Sequence, residues 1–168
     1  MAVRQERKSR IVSVVFPAML VAALIGCWLG LAPLGAATTE RVVTDYHTGL
    51  AISGFDPVAY FTNSKAAVGR PDLEFRFAGA TWWFHNEGNR AEFMAHPEVY
   101  LPSFGGYDPM ALTRGVAVPG HPEVWLIIRQ RLYLFRKPET RDAFAADSDE
   151  FITAAERRWP DVLRTLVP

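Results

Sequence analysis

Few side chains in this 168-residue chain are suited to chemistry, and one stretch stands out. Thr81 to Asp108 reads TWWFHNEGNRAEFMAHPEVYLPSFGGYD. It holds His85 and His96, the densest aromatic run of the chain, and a Gly105-Gly106 turn that delivers Tyr107 and Asp108. Imidazole and carboxylate together suit zinc, copper(II), iron or manganese, and a placed carboxylate can also act as general acid or base. No His-x-His or His-x-x-x-His spacing gives a local metal signature. Ser103 sits in Pro-Ser-Phe-Gly, without the Gly-x-Ser-x-Gly turn of a hydrolase nucleophile, and no glycine loop is built to cradle phosphate. Cys27, the one cysteine, lies in an N-terminal apolar run. The globular part therefore has no thiol for a disulfide, a zinc site or a nucleophile.

The two distinctive acids, Asp56 and Asp108, each precede a proline. A carboxylate there caps free backbone N–H groups at a helix start, and proline suits the first helical position. Capping and ligand contact are both open readings for each. His85 falls at a strand end and His96 before Pro97, ordinary surface positions. The aromatic stripe reads first as core.

The elements that must position these residues follow from periodicity. Leu50 to Ile52 is a short apolar strand, and Asp56-Pro57 opens a helix over VAYF. Residues 63–72 form a polar loop. Leu73 to Phe77 alternates apolar and charged residues, and Thr81 to Phe84 is β-branched and aromatic, so the two make a hairpin. Asn86 caps a helix to Ala95 with Ala91, Phe93 and Met94 towards the core, ended by His96-Pro97. Asp108-Pro109 opens another short helix. Val124 to Ile128 and Leu132 to Phe135 form a second hairpin. A helix from Lys137-Pro138 to Ala146 follows. The last helix carries Phe151, Ile152, Ala155 and Trp159 on one face, and Pro160 interrupts it. No repeat is apparent. The pattern predicts an α+β domain: a small antiparallel sheet of two hairpins packed with several short helices, preceded by an N-terminal apolar helix.

Lys plus Arg and Asp plus Glu both number 18, so the net charge is zero. That speaks against a nucleic-acid partner, which selects a basic excess. The basic cluster Arg4 to Arg10 instead heads an uncharged run from Ile11 to Leu34, closed by Gly35-Ala36-Ala37. Three outcomes are open: cleavage near Ala37 as a signal peptide, retention of residues 11–34 as a membrane anchor, since a span needs roughly 20 apolar residues, or lipidation at Cys27. The first two place the rest of the chain outside, in the periplasm or another extracytoplasmic space, because cationic flanks stay inside. Residues 1–37 are thus a signal or anchor, 38–49 a linker and 50–168 the domain. The membrane is met only through the N-terminal segment.

GFDPVAYF (Gly54 to Phe61), GATWWF (Gly79 to Phe84), NRAEFMAHPEVYLPSFGGY (Asn89 to Tyr107), and EVWLII with RLYLF (Glu123 to Phe135) resemble the YHS-domain family, closest to its exported YHS domain-containing (seleno)protein branch. The resemblance covers about Leu50 to Trp159. It implies a small α+β module related to cysteine-rich metal-binding domains, of a kind proposed to bind metals. Two departures stand out. That branch typically has cysteine or selenocysteine after Gly-Gly-Tyr, where this chain has Asp108. Relatives often carry Asp-Pro before the second hairpin, where this chain has His121-Pro122. The resemblance therefore implies a transition metal (zinc, copper or iron) or a small ligand near Gly105 to Asp108. Asp108 and His121 would be donors, joined by His85 or His96. Tyr107, Gly105, Gly106, Asp56, Tyr60 and Trp83 would shape the pocket. The alternative is a structural or partner-binding domain that has lost the family's reactive residue. No residue is assigned a catalytic role, although Asp108 as a general acid or base is a third reading.

Overall fold

The computed structural model describes residues 41–166. The apolar helix expected over residues 11–34, and with it the signal, anchor and lipidation readings, lies outside them. Among the described residues no helix is long and apolar enough to cross a membrane.

The fold is α+β, with two separate two-stranded antiparallel sheets rather than one sheet of two hairpins. In chain order, a 3-10 turn over Ile52–Gly54 leads to α1 (Ala59–Thr62), the hairpin β1 (Arg70–Phe77) and β2 (Ala80–Phe84), then α2 (Glu87–Ala95) and α3 (Pro97–Tyr100). A second 3-10 turn over Ser103–Gly106 leads to α4 (Pro109–Leu112), β3 (His121–Ile128), β4 (Arg131–Phe135), α5 (Pro138–Ala146) and α6 (Ser148–Thr165).

The two runs are one structural unit used twice. β1 and β3 have eight residues each, β2 and β4 five, α2 and α5 nine. Both hairpins break register at the same place, between Arg70 and Glu74 in one and between His121 and Trp125 in the other. Phe55 bridges Val68 as Tyr107 bridges Pro119. Gly69 N–H donates to the Gly54 carbonyl, and Gly120 N–H to that of Gly106. Each unit also centres on an equivalent phenylalanine. Phe93 lies 5.2 Å from both Trp82 and Phe84; Phe144 lies 5.3 Å from Tyr133 and 5.1 Å from Phe135. Removing either ring would cost about 3–5 kcal/mol.

The units share a core. Leu132 and Leu134 of the second pack into the cluster of Ile52, Tyr60, Trp82 and Phe84 from the first. The buried Tyr60 hydroxyl donates to the Pro122 carbonyl at 2.8 Å. The entering chain is laced between the units: Val43 N–H donates to Gly105 O, and Ile52 N–H to Val43 O. Gly105 is required there, because a Cβ on it would collide with the Arg41 carbonyl oxygen.

Three local expectations change. Leu50 and Ala51 form only isolated bridges, and Ile52 turns into the 3-10 segment rather than continuing a strand. On α2, Phe93 is buried together with Asn89, whereas Met94 and Ala91 are exposed; the polar Asn89 is drawn inward by a carboxylate described below. α6 runs through Pro160 without a break. Pro160 and Glu156, whose carbonyl loses its donor, are both exposed, so water can replace the missing bond.

Candidate functional site

Asp108 is 1% exposed and makes a bracket rather than an open ligand. Its Oδ1 accepts from Met110 N–H at 2.8 Å, capping α4. Its Oδ2 accepts from Arg136 N–H at 2.8 Å and from the Thr140 hydroxyl at 3.0 Å. One carboxylate thus ties a helix start to the residue after β4 and to the first turn of α5. Asp56 does the same in the first unit, fully buried. Oδ1 accepts from Val58 N–H at 2.8 Å, and Oδ2 from His85 N–H at 2.8 Å and Asn89 Nδ2 at 2.6 Å. Buried carboxylates tolerate burial when such donors surround them.

The rings of His85, His96 and His121 have their hydrogen bonds and ion pairs elsewhere than on these acids. His85 meets Asp56 only through its backbone; its ring Nδ1 lies 3.4 Å from the Val68 carbonyl. His96 is exposed, its Nδ1 3.9 Å from a Glu98 oxygen. His121 is exposed at the start of β3, where its Nδ1 accepts from Glu123 N–H at 3.2 Å. Among the described residues no three of His, Cys, Asp and Glu group as a metal site.

The expected pocket residues line neither of the two clefts described below. Tyr107, Asp56 and Tyr60 are fully buried, and Gly106 is buried under Val43, Ile52 and Leu134. Gly105 backs onto Arg41. Trp83 covers Gly54, with its indole N–H buried and unpaired. Burial, with Asp56 and Glu123 nearby, pushes the Tyr60 phenol well above the usual range.

A cleft opens immediately upstream of these residues. About 250 Å³ in volume, it is lined by Ser103, Phe104, Arg131, Tyr133, Glu156 and Trp159. The Ser103–Gly106 turn and β4 form its floor and α6 one wall. Phe104 packs edge-on to Trp159 with ring centres 5.7 Å apart, and 6.2 Å from Tyr133. Ser103 Oγ is buried without a hydrogen bond of good geometry, although the Tyr133 phenol is near enough to feel it. Burial raises the Tyr133 phenol above its ordinary range, with Ser103 and Arg131 acting the other way. Arg131 and Glu156 are exposed at the mouth. Among the described residues neither is ion-paired. A concave aromatic surface with a few placed polar groups is the usual form of a small-molecule seat.

A second, wider depression of about 330 Å³ lies between α4 and α6, lined by Thr113, Ala154, Arg157 and Arg158. Sequence reasoning missed both features. Ser103 in the sequence invites only a nucleophile reading, and Trp159 only a place on the apolar face of the last helix. The available signal was Pro-Ser-Phe-Gly itself: a serine and an aromatic residue entering a glycine turn.

Comparison of the chain with models of known families, with curated proteins and with solved structures finds no match in any of the three.

Proposed function

We propose that this chain is an exported, YHS-like module that binds a small organic ligand beside the Ser103–Gly106 turn, in the cleft between that turn and α6. The observation that carries the reading is an aromatic-floored cleft with the Ser103 hydroxyl beside the Tyr133 phenol and two exposed, opposite charges at its mouth that are not ion-paired among the described residues. The resemblance offers a transition metal at the same end of the molecule, but the donor set favours the organic ligand. Both oxygens of Asp108 are engaged, and His121, His85 and His96 each face their own surroundings. Residues 11–34 carry the export signal, as a cleaved leader or as an anchor to the inner membrane.

The test is a thermal-shift screen of the full chain against small amines, carboxylic acids and zwitterions, followed by calorimetry on the hits. A Glu156→Trp variant serves as control, since a bulky ring on that exposed helix position closes the mouth without touching the core. Saturable binding lost in the variant supports the seat. Binding that survives closure, or no hit at all, overturns it and favours a partner-binding scaffold.

A further inference from the structure

The duplicated unit provides an internal control for the cleft. Aligning Gly54 with Gly106 and β2 with β4 sets four of its lining residues against counterparts in the first unit. Ser103 stands where that unit has Ala51, Phe104 where it has Ile52, Arg131 where it has Ala80, and Tyr133 where it has Trp82. All four counterparts are apolar and at most 3% exposed. Trp82 even spends its indole N–H internally, on the Phe77 carbonyl at 3.1 Å. The remaining two lining residues, Glu156 and Trp159, belong to α6, which runs eighteen residues where its counterpart α3 has four. One backbone unit thus appears once with a closed apolar core at this place, and once with a hydroxyl, a phenol, a guanidinium and a carboxylate around aromatic rings.

Stability of the unit does not require those groups, because the first unit does without them. They have opposite charges and are not spent on each other: Arg131 has no carboxylate, and Glu156 no cation, within ion-pair distance among the described residues. A ligand that satisfies both must carry both charges. Its cation would rest against the faces of Trp159, Phe104 and Tyr133, where the ring quadrupoles and Glu156 attract it. Its anion would reach the planar fork of Arg131, which suits a carboxylate. A cleft of about 250 Å³ lies below the usual range for drug-sized ligands, about 300–1,000 Å³, so the occupant is compact.

We infer that the second unit recognises a compact zwitterion, with its ammonium in the Phe104, Tyr133, Trp159 and Glu156 corner and its carboxylate on Arg131. This rests on the cleft being the ligand seat.

Calorimetry on the full chain with glycine betaine and L-carnitine (both charges), choline (cation only) and 3,3-dimethylbutanoate (anion only, and near-isosteric with betaine) tests it. A zwitterion should bind saturably, and each single-charge probe at least about tenfold more weakly, equivalent to about 1.4 kcal/mol. Arg131→Ala should reduce zwitterion affinity to the level of choline and leave choline unchanged. Glu156→Gln should weaken zwitterion and choline together and spare the anion. Both positions are exposed, so both variants should fold, as circular dichroism would verify. Equal binding of all probes, binding of the anion alone, zwitterion binding indifferent to both variants, or no zwitterion binding overturns the inference. If the zwitterions fail while another class of hit is lost on Glu156→Trp, only the ligand class falls. If Glu156→Trp has no effect on any hit, the seat itself falls.

Discussion

Asp56 and Asp108 hold equivalent positions in the two units. Each caps a short helix with one oxygen and with the other grips the residue after a hairpin and a side chain on the next helix, Asn89 in one case and Thr140 in the other. Each carboxylate ties together three pieces of chain that the unit must hold in register, through charge-assisted bonds, which are stronger than neutral ones.

Replacing either acid by alanine should therefore cost about 2–4 kcal/mol, because several buried N–H and O–H donors lose their acceptor at once. The two variants should cost similar amounts in urea unfolding, and Asp108→Asn, which keeps one acceptor oxygen, should cost less than Asp108→Ala. An unchanged denaturation midpoint for Asp108→Ala would make it a free ligand rather than a bracket.

Titration of the metal-stripped chain with copper(II), zinc(II) and iron(II) should show no micromolar site that depends on Asp108. The comparison uses Asp108→Asn, whose fold is checked by circular dichroism. Loss of tight binding in a folded variant would restore the metal reading and turn attention to His121.

Alkaline stability should draw on Tyr60, Tyr133 and Tyr100, whose phenols are all raised in the folded chain, the first two being the more buried. Burial raises Tyr60 and Tyr133 above the unfolded value of about 10. A raised folded value means that the unfolded chain ionises first. Full stability therefore holds below about pH 10 and falls as pH climbs from there towards the folded values. Tyr60→Phe should flatten that decline above pH 10 and cost about 1 kcal/mol at neutral pH through loss of the bond to Pro122. Unfolding midpoints between pH 8 and 11 would decide it. An unchanged slope would mean that Tyr60 already ionises in the folded protein.

Gly69→Ala and Gly120→Ala should be matched, severe substitutions. Each new Cβ would meet the facing strand, 2.5 Å from the Trp83 carbonyl carbon in one case and 2.6 Å from Leu134 Cβ in the other. Overpacking of this kind costs about 1–3 kcal/mol or more. Gly79→Ala, in open space but at φ +83°, should cost only the left-handed backbone term of about 1–2 kcal/mol. Thermal unfolding of the three variants ranks them, and a mild Gly120→Ala would show that the second hairpin can slide.

Local signals were legible without the structure because they act over a few residues. Asp56-Pro57 and Asp108-Pro109 announce helix starts, Asn86 caps α2 as its position suggests, accepting from Asn89 N–H at 2.8 Å, and β-branched and aromatic runs mark both hairpins. The α+β class follows from their order. Tertiary structure decided the remainder. Asn89 is buried because Asp56, 33 residues earlier, needs its donor, which rotates α2 and leaves Met94 outside. The duplication shows in register and dihedral angles rather than in letters, since a hairpin unit needs only a Gly-aromatic-Asp-Pro turn, a glycine at the close approach and a central phenylalanine to repeat itself. Other positions are free to diverge, and those around Ser103, Arg131 and Tyr133 did so. Their convergence with Glu156 and Trp159 joins a turn, a strand and a helix far apart in the chain. Adjacency of that kind arises only from packing the long last helix across the second hairpin.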